Sequence, residues 1–527
     1  MDRTACLTNV PRRLAAALAW VLLWLLTACA SLPEGVQREV SQAITDVAAT
    51  PLAREAAQAT PDDQRHLSGL RLLPNGPEAM AARVALARRA QKSLDVQYYL
   101  IAPDDTGRQF LRELRDAALR GVRVRLLIDD LHASEQDQQL MALAAHENVQ
   151  VRLFNPLPVR GNAFEMRMLL SLHQFQRVNR RMHNKLFIAD NSVAVTGGRN
   201  IANEYFMRST SANFIDMDVL SVGPVVRGLS EVFDRYWNSE WSYPIDALVR
   251  PLAARGDARE TFAAWADGAS VAEPSPASAE QVLAEPRALQ FAAVQVSADD
   301  PAKVASAGAN AAAPTVGTMG SAMDSTLLTL RSAQSEVMVV SPYFIPGERG
   351  LKMMQGAIDR GVKVSVMTNS LAATDEPLAY WAYVRYRESM LKMGVTLSEL
   401  SPVANRKFDM LGDFRSSLGA LHAKVAVADR RWLLVGSMNM DGRSARSNTE
   451  LGLVIDSPDL AEEALVLMTE YWSNSHYRLR LAKRDQHVEW VDAGGEGNMV
   501  LRTEPRVSWF KRLRLGVMSM LIDEELL

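Results

Sequence analysis

The sequence predicts an α/β protein built of two duplicated lobes, and three observations carry this. First, strand-like and helix-like stretches alternate. Residues 77–90 have helical spacing, 93–100 read as a strand and 107–119 as an amphipathic helix. Residues 122–128 are a strand capped by Asp129 and Asp130, and 147–154 another strand. Such alternation marks βαβ units. Second, the chain repeats itself at an offset near 240 residues. R-S-A-Q-S-E-V-M-V-V at 331–340 matches R-R-A-Q-K-S-L-D-V-Q at 88–97, and R-G-V-K-V at 360–364 matches R-G-V-R-V at 120–124. A period this long is a duplicated domain, not a solenoid. It permits two lobes packed about a pseudo-twofold axis. Third, one polar motif, H-x-K-x4-D-x6-G-[GS]-x-N, occurs once per repeat, from His183 to Asn200 and from His422 to Asn439. In both copies seventeen positions separate the His from the Asn.

Taken in order, residues 1–28 read as a signal peptide. Arg3, Arg12 and Arg13 precede an apolar run of 13 residues at 14–26, the length of a signal core and short for a membrane span. L-T-A-C at 26–29 resembles the bacterial lipobox, which implies cleavage before Cys29 and a diacylglyceryl group on its sulfur. An ordinary signal peptide cut near Ala28 or Ala30 is the alternative. Cys6 and Cys29 are the only cysteines, so the mature chain is left with no free thiol and no disulfide, as suits an exported protein. Ala30 is not Asp, the residue linked to inner-membrane retention of such lipoproteins. The expected location is the bacterial cell envelope, membrane-anchored and facing the periplasm, with the outer membrane favoured. Residues 29–69, rich in Ala, Gln and Asp, read as a tether with a helix at 36–49.

The first lobe is expected at 70–249 and the second at 324–500. Between them, 250–323 is largely Ala, Pro, Ser and Gly and reads as a connection. Residues 291–297 inside it have the pattern of a strand. Residues 164–179 read as helix or loop, with His173 structural. They lead to Arg180 and Arg181, which either bind a phosphate beside the motif or sit in solvent. The last segment, 501–527, mixes Trp509, Phe510, Lys511, Arg512 and Arg514 with an apolar run. It reads as an amphipathic helix lying either on a bilayer or on the lobes.

The motif has a physical logic. Residues two apart on an extended chain point the same way, so each His and Lys project together. L-F-I at 186–188 and V-A-V at 425–427 continue as buried strands. Turns at 190–191 and 429–430 lead to return strands at 193–195 and 432–435, completing a hairpin in each copy. The following glycines bend the backbone and bring Asn200 and Asn439 beside the His and Lys. An imidazole, an ammonium and a carboxamide aimed at one point suit a tetrahedral phosphate. Lys185, Lys424, Asn200 and Asn439 would bind its oxygens, and His183 and His422 attack phosphorus or carry protons. A lone His of this kind is ordinarily a core residue; the matched pair points to chemistry. A Lys two residues from each His repels a cation, and no second His or Cys lies at ligand spacing, so no metal and no cofactor are expected. Asp190 and Asp429 read as structural, closing the hairpin turns.

After each Asn comes a strand bearing a carboxylate. D-M-D-V-L-S-V-G-P at 216–224 aligns with E-L-G-L-V-I-D-S-P at 450–458, pairing Asp216 with Glu450. Such a group can hold a His by its second nitrogen and fix its tautomer. In the first lobe Glu204 and Asp218 compete with Asp216 for His183. The net charge of −3 gives no electrostatic case for a nucleic-acid partner, and no oligomeric state follows from it.

The two motif copies resemble the HKD motifs of the phospholipase D superfamily, over the chain from about Leu70 to the C-terminus. Within it, the likeness is to bacterial cardiolipin synthases of the C type. It rests on D-V-Q-Y-Y at 95–99, R-R-M-H-N-K at 180–185, G-G-R-N-I at 197–201, D-D-P-A-K at 299–303 and T-N-S-L-A-A at 368–373. The resemblance implies two phospholipase D-like lobes about a pseudo-twofold axis with one shared active site. It implies a carboxylate behind each His. It also implies a phosphohistidine on His183 and acid/base work by His422, with phospholipids as substrates. Water as the incoming alcohol would make a phospholipase D-type hydrolase or another phosphodiesterase, nucleases of the superfamily included. The glycerol hydroxyl of phosphatidylglycerol would make a transferase forming cardiolipin, with phosphatidylethanolamine a candidate phosphatidyl donor.

Overall fold

The computed structural model describes residues 31–161, 164–250, 255–269, 289–305, 321–402, 407–408, 412–413, 417–474, 476–484, 486–492 and 499–519. The expectations for the signal peptide and Cys29, and for the Ala/Pro-rich stretches at 270–288 and 306–320, lie outside the described residues.

Each lobe is a mixed sheet. Across the first run Val149–Phe154, Arg123–Asp129, Ser93–Tyr98, Leu186–Ala189, Val193–Gly197, Asp218–Val222 and Ser68–Leu73. The first three are parallel and the others join antiparallel. Across the second run Thr396–Leu400, Lys363–Asn369, Glu336–Val340, Val425–Ala428, Trp432–Gly436, Leu451–Asp456 and Gln290–Ala298, with the same pattern of pairing. The parallel strands need crossovers, and helices supply them. One is Asp105–Leu119, capped by Asp104 through the Gly107 N–H (2.9 Å). Phe110, Leu114 and Ala118 fall on one face of it and are buried.

The strand expected near 291–297 exists, and it corrects the domain boundaries. Its first residues pair with Ser68–Leu70 of the first lobe, and residues 293–298 pair with 451–456 of the second. The stretch read as a connection therefore supplies the outer strand of the second sheet and ties the two sheets together. One apolar core also spans both lobes. It joins Phe233 and Trp237 of helix Pro224–Trp237, Leu460 and Leu467 of helix Pro458–Asn474, and strand residues such as Ile188 and Leu453.

The segment expected as a tether is bound to the first lobe instead. Arg38 donates to the carbonyls of Ser242 and Glu240 (2.9 Å each), and its guanidinium lies 4.3 Å from the Tyr243 ring centre. The N–H groups of Ser41 and Ala43 donate to Asn238 and Asp234. Backbone donors held by the lobe are not available to a helix, and residues 36–49 form none. The helix comes later, at Pro51–Ala59. Pro51 lacks an N–H and fits the first turn, where that donor is not needed, and Thr50 caps it. Leu52 is fully buried.

At the far end, helix Trp509–Ser519 packs Leu515 into the second lobe while Trp509, Phe510 and Leu513 stay 67%, 63% and 57% exposed. Of the two sequence expectations for this helix, packing on the lobes is met through Leu515.

Candidate active site

The histidines meet where the lobes join. His183 and Lys185 lie on extended backbone just before strand Leu186–Ala189, and His422 and Lys424 just before Val425–Ala428. Each hairpin turn has two residues at positive φ, Asp190 (48°) with Asn191 (46°) and Asp429 (54°) with Arg430 (52°). That geometry matches the twist of the strands it connects, and Asp and Asn tolerate it best. The motif aspartates do more than close these turns. Asp190 accepts the N–H groups of Gln91, Lys92 and Ser93, and Asp429 those of Gln334, Ser335 and Glu336. Each carboxylate pins the start of the neighbouring strand, far from the reacting groups.

The lobes are stitched by a reciprocal exchange. The N–H of His183 donates to the Thr449 carbonyl (2.9 Å), and the N–H of Thr449 to the Arg181 carbonyl (2.9 Å). Symmetrically, the N–H of His422 donates to Ile215 (2.8 Å), and strand Leu418–Leu421 runs parallel to Ala212–Ile215. The residue before each carboxylate thus grips the other lobe's histidine. As a result the carboxylates cross over. His183 Nδ1 is 3.0 Å from Glu450, and His422 Nδ1 is 2.6 Å from Asp216. None of the three first-lobe acids considered for His183 holds it. Asp216 serves His422, Asp218 pairs with Arg83 and Arg199, and Glu204 is half-buried on a separate turn. In the first copy the glycine before Arg199 permits the approach: a Cβ on Gly198 would collide with the Asp216 carboxylate. Ser437 occupies that place in the second copy, and its hydroxyl donates to Glu450 (2.5 Å).

Burial and charge set the protonation. Burial, then Lys185, pushes His183 down to about 4 against the pull of Glu450. Burial and Lys424 lower His422 as well. Burial alone would raise both acids; the facing His and Lys outweigh it, lowering Glu450 and holding Asp216 at about 2. Both rings are therefore neutral near pH 7, with Nδ1–H given to a carboxylate and a lone pair on Nε2. Burial lowers Lys185 well below the ordinary lysine range and Lys424 to about 8. A lysine is charged below its pKa, so the apo site loses positive charge as pH rises through about 8. kcat/KM is expected to fall over that window, and Lys424→Met to abolish the limb along with most of the activity, read from initial rates between pH 6 and 10.

Asn200 and Asn439 are both buried, and the side-chain oxygen of each lacks a partner. Unmet polar atoms beside two lysines fit a ligand that brings its own hydrogen-bonding groups. Arg181 is not part of this. Its guanidinium is fully buried against Asp129 (2.7 Å) and the carbonyls of Val178, Phe154 and Asn155, so the substrate-binding role expected of it is replaced by a structural one. Arg180 stands 3.5 Å from the Val304 carbonyl at the lobe junction. Sequence reasoning missed two tyrosines. Tyr99 sets its ring edge-on to His183 (5.2 Å), and Tyr205 edge-on to His422 (5.0 Å). It also missed Asp299, whose carboxylate receives the Glu450 N–H (3.0 Å); D-D-P-A-K at 299–303 was the available signal. Among the described residues no group of three or more His, Cys, Asp or Glu is arranged to hold a metal ion.

A sequence family described as "Cardiolipin synthase, PLD-like domain" matches residues 84–237 and 327–472, one segment per lobe. The chain is 35% identical to Cardiolipin synthase C of Escherichia coli (strain K12), over 87% of this chain and 96% of that protein. It is 32% identical to an uncharacterized protein of Helicobacter pylori (strain ATCC 700392 / 26695), over 90% and 93%. A solved phosphatidylserine synthase from Haemophilus influenzae Rd KW20 shares the fold. Its TM-score is 0.52 at 14% identity, covering 90% of this chain and 99% of that one. With two HKD motifs meeting at the junction of its lobes, the chain belongs to the cardiolipin synthase type of the phospholipase D-like family.

Proposed function

We propose that this protein is a phosphatidyltransferase that makes cardiolipin from phosphatidylglycerol and a second phosphatidyl donor. The observation that carries the reading is the crossed pair of His–carboxylate dyads where the lobes join, in a chain similar to Cardiolipin synthase C along nearly its whole length. Nε2 of His183 attacks the phosphodiester phosphorus, and the bond to the leaving alcohol breaks. That alcohol takes a proton from His422, whose protonated form the anionic substrate favours. The incoming hydroxyl then returns a proton to His422 as its oxygen displaces His183 from phosphorus. Lys185, Lys424 and the two asparagines steady the phosphoryl oxygens. The histidines are only 8% and 4% exposed, and a site this dry favours a lipid hydroxyl over water as acceptor.

The direct test is lipid analysis by mass spectrometry in cells that lack their own cardiolipin synthases. Cardiolipin is expected with the intact chain and not with His183→Ala. Accumulation of phosphatidic acid instead would make the protein a hydrolase.

The leader and Cys29 support a lipoprotein anchored in the cell envelope on the periplasmic side. No helix among the described residues is long and apolar enough to cross a membrane. In this reading the contacts with the bilayer are made by the anchor and by the exposed face of helix Trp509–Ser519. Its three apolar side chains stand beside the exposed cations Lys511 and Arg514, the pattern of an interfacial helix. In a Cys29→Ser background, Trp509→Ala/Phe510→Ala/Leu513→Ala is expected to weaken binding to phosphatidylglycerol vesicles by about tenfold or more, read by co-sedimentation.

A further inference from the structure

The motif copies are so alike that nothing in them says which histidine attacks phosphorus. The difference lies five residues past each asparagine. In the second copy that residue is Ser444. Its hydroxyl donates to Glu450 (2.8 Å) and accepts the Asn439 N–H (3.2 Å), behind His183 and away from the reacting face. In the first copy it is Tyr205, on the short turn Asn203–Phe206. The phenol is buried against Phe214, ring centres 4.8 Å apart, and its plane stands 88° to the His422 ring. Its hydroxyl accepts from Asn200 Nδ2 (2.9 Å) and faces His422 Nε2 at 3.5 Å. That contact is long for a hydrogen bond, as such contacts often are without substrate, and a small tilt of the phenol closes it.

The directions of these bonds follow from what each atom can do. His422 Nδ1–H is given to Asp216, so Nε2 holds the lone pair. A phenol oxygen already accepting from a carboxamide has its own proton free to donate. The Lys424 ammonium straddles the ring, 3.1 Å from Nδ1 and 3.2 Å from Nε2, so only the phenol singles out this nitrogen. His183 differs. Among the described residues no hydroxyl or ammonium caps its Nε2. The nearest phenol, Tyr99, turns its hydroxyl to His132 (3.0 Å) and presents only a ring edge.

We propose that Tyr205 is a positioning residue that makes the two histidines unequal: it caps Nε2 of His422 and reserves that nitrogen for proton transfer, leaving Nε2 of His183 to attack phosphorus. This rests on the phosphohistidine reading given above. A lone pair that receives a hydrogen bond is a poorer nucleophile, and the phenol stands where the phosphorus would have to come. Proton traffic is compatible with the cap. When the incoming alcohol arrives, its O–H replaces that of Tyr205 at Nε2, and the phenol keeps its own proton throughout. Burial, which drives the Tyr205 pKa upward, keeps the phenol in that donor form.

Tyr205→Phe retains the packing on Phe214 and His422 and removes only the hydroxyl. The probe is phosphatidyl-p-nitrophenol, whose leaving group needs no acid. The purified full chain is quenched in alkali and the covalent adduct mapped by mass spectrometry. His422→Ala is expected to carry the adduct on His183, and His183→Ala to carry none. In His183→Ala/Tyr205→Phe the adduct is expected on His422, at least tenfold above the His183→Ala background. Tyr205→Phe alone should shift the His422 limb of the pH–rate profile upward, because the lost bond favoured the neutral ring. No adduct on His422 in the double variant, or a Tyr205→Phe profile that falls in height without moving, overturns the role of Tyr205. No adduct on His183 in His422→Ala overturns the phosphohistidine reading itself. The two failures are therefore told apart.

Discussion

His183→Ala is expected to lower transfer by about 10⁴-fold or more while leaving the fold intact. Removing a covalent nucleophile costs losses of that order, because the remaining groups act on an intermediate that no longer forms. The structure separates this chemical loss from a folding defect. The backbone N–H that ties residue 183 to Thr449 survives any substitution except proline. Glu450 sits fully buried behind the ring, and a carboxylate stranded there would be destabilising. It is not stranded, because Ser437 and Ser444 still donate to it at 2.5 and 2.8 Å and Lys185 remains near. The expected result is a variant that melts within a few degrees of the parent, binds phosphatidylglycerol vesicles equally well and makes no cardiolipin. A variant that retains a tenth of the activity would show that His183 is not the nucleophile, and one that unfolds would show that the two serines do not keep Glu450 satisfied.

Much of this site is legible in the sequence because duplication writes it twice. Two copies at constant spacing mark His183, Lys185 and Asn200 with their counterparts, and the D-N and D-R turns announce hairpins whose positive φ angles the structure shows. The alternation of helix and strand gives the lobes because each element buries a face of the matching period. What is not legible is whatever depends on how the lobes meet. Aligning the repeats assigns each carboxylate to its own copy, yet His183 finds its partner 267 residues away. Arg181 looks like a phosphate ligand because it adjoins the motif. Its partner Asp129 lies 52 residues earlier in sequence, on a strand end that only the folded sheet brings near. Strand Gln290–Ala298 hides in Ala-rich composition because its two halves pair with different lobes. The segment at 36–49 reads as helical by composition, but side chains of the first lobe hold its backbone in another shape.

The crossing of the carboxylates gives the second large expectation, in which a substitution in one lobe disables the histidine of the other. Glu450→Gln is expected to cost about 10²- to 10⁴-fold, by analogy with the loss of tautomer control when a buried triad acid becomes an amide. The Glu450 carboxylate accepts from His183 Nδ1, Ser437 and Ser444. An amide in its place turns one acceptor into a donor, so one of those three bonds becomes donor against donor. If His183 yields, its Nδ1 proton moves to Nε2 and the attacking lone pair is gone. Asp216→Asn does the same to His422, and the two defects have different signatures. With p-nitrophenol as leaving group the first step needs no acid. Glu450→Gln should then abolish the burst of p-nitrophenol, while Asp216→Asn leaves the burst and slows turnover after it. With an ordinary phospholipid donor both should be slow. Were each carboxylate the partner of the histidine in its own lobe, the two burst results would be exchanged. The same stopped-flow record therefore tests both the division of labour between the histidines and the reciprocal joining of the lobes that sets it.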